Sequence, residues 1–222
     1  MAPRGLHTKV VLNSWFAACV VAAASTFVAN FGHAAAHEVP SITASSAVAQ
    51  SRTAPKFVTQ FQNRNHRFEA TDCGPAAMTS VAKSLGVIGA GESDASAIQH
   101  LAAIGQTSDA GTTIDGMGQM ARSLRLSFDW AWGTNPRSVA EALRQGKRIV
   151  AGGNASSLPW RRGRDVINHY LVIADVTEHG TFVVYDPMDR LPVHRELTAD
   201  ELVAFHETSP LDGVTIAIDR AN

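Results

Sequence analysis

Cys73 stands in the run TDCGPAAMTSVAKSL, where the residues on either side suit nucleophilic chemistry. The attacking species of a cysteine is its thiolate, and a free thiol ionises only near a pKa of ~8.5. From Gly74 onward the pattern is helical, with Pro75 in the first turn, Met78, Val81 and Leu85 along one face, and Gly86 as the stop. The sulfur therefore sits at a helix N-terminus, where unpaired N–H groups and a partial positive charge favour the thiolate. Gly74 gives the backbone room to turn and leaves the sulfur accessible.

A thiol nucleophile needs a partner that takes its proton and later returns one to the leaving group. Histidine suits this because its ordinary pKa lies close to working pH. Beyond residue 36 the choices are His37, His66, His100, His169, His179, His194 and His206. His169 opens an apolar strand, HYLVIADV, directly after the polar run RRGRDVIN, so it can face a cleft while its strand stays in the core. The competing role is that of a hydrogen-bonded core histidine. Asp186 ends the next apolar run, in VVYDPM, and two antiparallel strands of this length bring it back beside His169. A carboxylate there fixes the imidazole tautomer and stabilises the imidazolium. Its competing role is that of a turn residue before Pro187. Asp175 lies six residues along the same strand as His169, roughly 20 Å away at ~3.3 Å per residue, and is excluded as the partner.

The elements that must hold these three residues follow from periodicity. Lys56–Gln62 alternates as a strand would, with Phe57, Thr59 and Phe61 on one side and Val58, Gln60 and Gln62 on the other. Helices are expected at Ala95–Ile104, Thr113–Leu124 and Pro136–Gln145, with a strand at Arg148–Gly152. His169–Val176 and Thr181–Tyr185 read as a hairpin turned at Glu178-His179-Gly180. Leu191–Glu196 and Val214–Ile218 read as further strands around a short helix at Ala199–His206. Helices gather in the first half and antiparallel strands in the second, the pattern of an α+β fold. The nucleophile falls on the helical half and the base on the sheet half.

The order Gln … Asp-Cys-Gly-Pro at a helix start, then Gly-Lys-Arg-Ile-Val, Asn-His-Tyr-Leu-Val and Tyr-Asp-Pro resembles the bacteriocin-processing peptidases. These are family thirty-nine of the cysteine peptidases, within the papain-like superfamily. The resemblance covers most of Pro55–Asn222 and implies a papain-like α+β fold, with the helical half packed on the sheet half. It implies Cys73 as nucleophile, His169 as base and Asp186 as the histidine's partner. It also implies an upstream glutamine whose side-chain amide helps the cysteine N–H hold the oxyanion, a place filled by Gln60 or Gln62. FVTQFQNR resembles the family's strand ending in a glutamine followed by polar residues, which favours Gln60. The implied activity is hydrolysis of a peptide or related amide bond in a peptide or protein substrate, through a thiol acyl-enzyme. Two other readings share these residues: a cell-wall (peptidoglycan) amide hydrolase, and a non-catalytic domain of the same fold that binds a peptide or partner. DCGP in place of a DCSG-type start counts against the first, and the complete Gln, Cys, His and Asp set counts against the second.

The N-terminus differs from the rest. MAPRGLHTK leads into an apolar, alanine-rich stretch over Val10–Phe31, then Ala34, Ala35 and Ala36, the order of a signal peptide over residues 1–36. The competing reading is an uncleaved anchor, since a stretch this long can span a bilayer. Residues 37–54 read as a flexible linker and 55–222 as one peptidase domain, large enough to bury a core without disulfides. The expected location is secreted or periplasmic, with no stable membrane insertion after signal cleavage. Cys19 would leave with the signal, so Cys73 would remain as a single thiol in an oxidising compartment.

The chain is 45% hydrophobic and 18% charged, as an ordinary globular domain is. Residues 1–36 hold Arg4 and Lys9 and no acid, which leaves 17 basic against 20 acidic side chains, a net −3. That excludes a nucleic-acid binder built on a basic face. No metal or cofactor is expected, because CxxC, HExxH and paired-histidine spacings are absent. The sequence leaves the oligomeric state open. Trp160 with Arg161, Arg162 and Arg164 reads as a solvated loop or as a recogniser of substrate carboxylates. Trp130 and Trp132 alternate as strand residues do and read as core.

Overall fold

The computed structural model describes residues 55–62, 69–162, 167–209 and 213–221. The expected signal peptide, the linker and Arg164 lie outside these residues. Among the described residues no helix is long and apolar enough to cross a membrane.

The first long element is α1 (Cys73–Ser84), and it forms where the periodicity places it. Met78, Val81 and Ala82 are fully buried, and each large side chain among them contributes roughly 1.5–3 kcal/mol through the apolar surface it removes from water. The helix ends in a Schellman turn. Gly86 takes φ 67°, its N–H donates to Lys83 O, and the Val87 N–H donates to Ala82 O. Helices α2 (Asp94–Ile104) and α3 (Ile114–Ser123) follow, N-capped by Ser93 and Thr113. Strand β1 (Leu126–Trp132), helix α4 (Pro136–Arg144) and strand β2 (Arg148–Asn154) come next. The second half contains β3 (Asn168–Val176), β4 (Phe182–Tyr185), β5 (Arg195–Leu197), α5 (Ala199–Glu207) and β6 (Val214–Arg220). A capping box between Thr198 and Glu201 starts α5.

The strands form one antiparallel sheet in the order β1-β6-β2-β3-β4-β5. Strand β2 lies inside it and is buried along its whole length. Alternation sends side chains to two cores. Val150, Val172, Tyr185, Val214, Ile216 and Ile218 pack with α1, α2 and α3. Ile149, Ala151, Leu171, Ile173, Phe182 and Val184 pack with α4 and α5. The fold is thus α+β as the sequence implies, with helices on both faces of the sheet.

Two expected strands differ. Lys56–Gln62 forms no strand, and Gln60–Gln62 is a single 3-10 turn. Its tertiary backbone bond runs from the Gln60 N–H to Pro187 O, joined by the Thr59 hydroxyl donating to the same carbonyl, so the segment docks on a turn and builds no ladder. The strand expected at Leu191–Glu196 shrinks to Arg195–Leu197, which pairs only with β4 at the sheet's edge.

Candidate active site

Cys73 is the first residue of α1 and is almost completely buried. The sequence needs a glycine after it. A Cβ on Gly74 would stand 2.9 Å from both Cβ and Oγ1 of Thr112 and 3.1 Å from the Met117 sulfur. The loop carrying Thr112 can therefore close tightly over the helix start. That loop is pinned by the Thr71 hydroxyl donating to Ser108 O at 2.7 Å and by a 2.7 Å bond between the hydroxyls of Thr107 and Thr112.

His169 is the second residue of β3, opposite Gly153 of β2. A side chain on Gly153 would fall 2.2 Å from Phe205 O, so this glycine lets α5 lie close against the face of the sheet that carries His169. Asp186 follows β4 at once. Tyr185 pairs with Val172, and one residue further places Asp186 across from Leu171, on the same pleat face as His169. Diagonal neighbours of this kind are about 7–8 Å apart at their Cα atoms, a gap that an imidazole and a carboxylate span. His169 Nε2 meets Asp186 Oδ1 at 2.7 Å, with both side chains buried. The Cys73 side chain also acts electrostatically on the imidazole, while its thiol lies 4.0 Å from Thr71 O. Cys73 and His169 thus line one cavity, and His169 is hydrogen-bonded to Asp186. Asp175 pairs with Val183 further along β3, where its carboxylate accepts from the Val176 N–H.

Asp186 is also a turn residue: Oδ1 accepts the Met188 N–H at 2.8 Å, and the Asp189 N–H donates to Asp186 O. The turn role and the histidine contact are held together by one side chain. Burial alone would lower the His169 pKa, but the hydrogen bonds and charges of Asp186 and Cys73 outweigh it and raise the group from 6.5 to about 9. Burial alone would raise Asp186, but His169, Arg161 and Trp160 hold it well below the ordinary carboxylate range.

Gln60 is buried and Gln62 is exposed. The Gln60 side-chain amide donates to Ala70 O at 2.9 Å, in the loop that leads to Cys73, while its main-chain N–H reaches Pro187 beside Asp186. It therefore ties together the approaches to Cys73 and Asp186. The remaining histidines have other settings. His100 and His179 are exposed, His194 bonds the Tyr185 hydroxyl, His206 lies between Leu202 O and Val214 O, and His37 and His66 are outside the described residues. Among the described residues no three His, Cys, Asp or Glu side chains converge as a metal ion requires.

A cavity of about 200 Å³ holds Cys73 and His169 with Thr112, Trp132, Gly152 and Tyr170. The Tyr170 hydroxyl donates to Thr112 O and bridges the cavity's two walls. A larger groove of about 800 Å³ beside α4 and α5 contains none of Cys73, His169 and Asp186.

Two sequence expectations are corrected. Trp130 and Trp132 are not core: they are 44% and 58% exposed, packed edge to face on the outermost strand. Alternation locates a pleat face correctly but does not show that a strand is the last in its sheet, reaching past its covering helix. Trp160 and Arg161 are not a solvated loop, and they do not line the cavity of Cys73 and His169. Both donate to Asp186 Oδ2, each at 2.8 Å. Nothing in the spacing of residues 160 and 186 signals this. Arg162 is exposed.

No protein-family model matches the chain, and no curated protein matches it. Solved structures do match. The peptidase domain of Streptococcus ComA, a bi-functional ABC transporter of a quorum-sensing pathway, superposes with a TM-score of 0.52 at 19% identity, covering 75% of this chain and 99% of that domain. A C39-like peptidase from Bacillus anthracis gives 0.53 at 10% identity, covering 76% and 96%.

The fold is that of the C39 peptidase domains.

At these identities the C39 likeness concerns the path of the backbone. The C39 fold is the one the motifs DCGP and NHYLVI…VVYDP resemble in sequence.

Proposed function

We propose that this chain is a cysteine peptidase that cleaves a peptide or related amide bond through a thioester acyl-enzyme, with Cys73 as nucleophile, His169 as base and Asp186 as the histidine's partner. The observation that carries the reading is that Cys73 and the Asp186-bound His169 are buried side by side at one cavity. The Cys73 sulfur attacks the carbonyl carbon after its proton passes to His169 Nδ1. The tetrahedral oxyanion is held by the Cys73 N–H, which as the first of a helix has no intrahelical acceptor, and, as the family resemblance implies, by the side-chain amide of Gln60. The intermediate collapses as His169 gives its Nδ1 proton to the departing amine, leaving the acyl group on sulfur. Water then loses a proton to His169 and attacks the thioester, and the acid leaves as the sulfur regains its electron pair. Throughout, Nε2–H stays on Asp186, so only Nδ1 exchanges protons.

In the same proposal the chain is exported, on the strength of the basic, apolar and alanine order of residues 1–36. The test of function incubates the purified protein with a defined mixture of oligopeptides and reads cleavage by mass spectrometry. Cleavage lost in both Cys73→Ala and His169→Ala supports the proposal. Binding of intact peptides without cleavage by the wild type favours a non-catalytic domain. Release of fragments from peptidoglycan, with every oligopeptide untouched, favours a cell-wall amide hydrolase.

A further inference from the structure

Asp186 is gripped from both sides. On Oδ1 it meets the imidazole at 2.7 Å and the Met188 N–H at 2.8 Å, and on Oδ2 it accepts from Trp160 Nε1 and Arg161 Nε, each at 2.8 Å. Four contacts fill the four acceptor directions of a carboxylate. The two on Oδ2 come from one short stretch that is otherwise remote in sequence, and they set the plane in which Oδ1 faces the histidine.

Arg161 is itself buried, and its side chain is held in a chain of charges. Its Nη2 reaches Asp189 Oδ1 at 3.5 Å, and Asp189 is forked by Arg195 at 3.1 and 3.3 Å. Arg195 in turn lies over the Trp160 ring, 5.4 Å from its centroid. The order Asp186, Arg161, Asp189, Arg195 alternates in sign. It begins on the carboxylate that faces the imidazole and folds back onto the second residue that grips it.

We infer that Arg161, seconded by Trp160, is a positioning residue for the proposed catalytic line, fixing the Asp186 carboxylate in the plane and charge state in which it orients His169. This deepens the peptidase reading and rests on it. The physical need is specific. A carboxylate buried to this degree is driven toward its neutral form, and a neutral Asp186 cannot stabilise an imidazolium. Arginine is suited to the task because its guanidinium is always charged and its planar donors give direction, which a lysine ammonium lacks. A plain structural salt bridge would predict something else, since exchanging a buried ion pair for apolar groups is often neutral for stability and would leave the chemistry at Cys73 alone.

The test uses alkylation of Cys73 by iodoacetamide in the full chain, followed across pH, with thermal melting of each variant measured in parallel. Arg161→Met keeps an unbranched apolar stem and removes the charge and the donors. It should slow alkylation at neutral pH by about tenfold, the size of one lost charge-assisted hydrogen bond, and move the acid edge of the rate profile upward. Arg161→Lys should restore the acid edge while recovering only part of the rate, because charge returns without the planar donor. Trp160→Phe removes one donor with little change of volume. It should shift the profile in the same direction by less, and it supplies the test if Arg161→Met does not fold. Asp186→Asn in the same assay separates the two levels of the argument. If it leaves alkylation unchanged, the catalytic line itself is wrong. If it slows alkylation while folded Arg161→Met and Trp160→Phe keep the wild-type profile, the positioning role is wrong and the line survives.

Discussion

Asp186→Asn is a sharper perturbation than the loss of one charge, because the partners of the carboxylate dictate how the amide must sit. Trp160 Nε1 and Arg161 Nε can only donate, so the amide oxygen is drawn to the Oδ2 side. That turns the NH₂ toward His169 Nε2 and toward the Met188 N–H, which now face another donor. The histidine can answer only by accepting at Nε2, and its proton moves to Nδ1, the nitrogen that must accept from Cys73. The variant loses a charged hydrogen bond, worth about 1.5–3 kcal/mol or roughly 10–150-fold, and also holds the wrong tautomer, a fault that reaches about 10⁴-fold in serine hydrolases. We expect kcat to fall by at least about 10²-fold. The donor facing Met188 should lower Tm by about 2–4 °C for each kcal/mol of mismatch. Asp186→Ala, which leaves the tautomer free, should be no worse than Asp186→Asn despite removing more atoms. Asp175→Asn, with its side chain on its own backbone, should keep kcat nearly unchanged. The assay is steady-state peptide hydrolysis with circular dichroism on every variant. A folded Asp186→Asn with full activity refutes the reasoning, and one clearly better than Asp186→Ala refutes the tautomer argument.

Gln60→Ala should lower kcat by roughly 10²-fold or more with Cys73 alkylation little changed, while the exposed Gln62→Ala leaves kcat as it was; the reverse pattern in the same kinetics moves the oxyanion role to Gln62. The His169 pKa is raised on folding from 6.5 to about 9, so its stabilisation is complete below about pH 6.5 and is lost as pH rises through about 9. Urea melts across that range should show the decline in wild type and much less of it in His169→Gln. Asp186 is held below its ordinary 3.8, so its contribution is present above that value and is lost as pH falls below it, a second decline that the same melts should show at acid pH. Gly74→Ala should cost about 1–3 kcal/mol by driving its methyl into Thr112, and the melting temperature should fall accordingly.

The sequence was most legible where one local rule governs the outcome. Cys73 opens α1 because a helix pattern with Pro75 and Gly86 at its ends needs no tertiary information. His169 comes near Asp186 because a hairpin joins their two apolar runs, but the β-bulge between Ile173 and Asp175 that turns both to one face is not visible in the sequence. Legibility stopped where the outcome depends on what the chain returns to. Val58, Thr59 and Gln60 are buried in succession, which a strand's alternation does not give, and the segment docks on Pro187 O, where one acceptor cannot make a ladder. Trp130 and Trp132 carry the alternation of β1, but their exposure is set by the position of β1 at the sheet's edge. The contacts of Trp160 and Arg161 with Asp186 come from tertiary folding across 25 residues, and polar residues in a loop give no sign of which buried carboxylate they will meet.

Whether His169 governs the reactivity of Cys73 is tested by alkylation of that thiol, with no assumption about substrate. The protein is treated with iodoacetamide at pH 6, and the rate of adduct formation on the Cys73 peptide is followed by mass spectrometry beside free cysteine in the same buffer. Cys73, though only 7% exposed, should react faster than free cysteine, and His169→Ala should slow it by at least about tenfold. A wild-type rate no greater than that of free cysteine, or a rate unchanged in folded His169→Ala, contradicts control of Cys73 by His169.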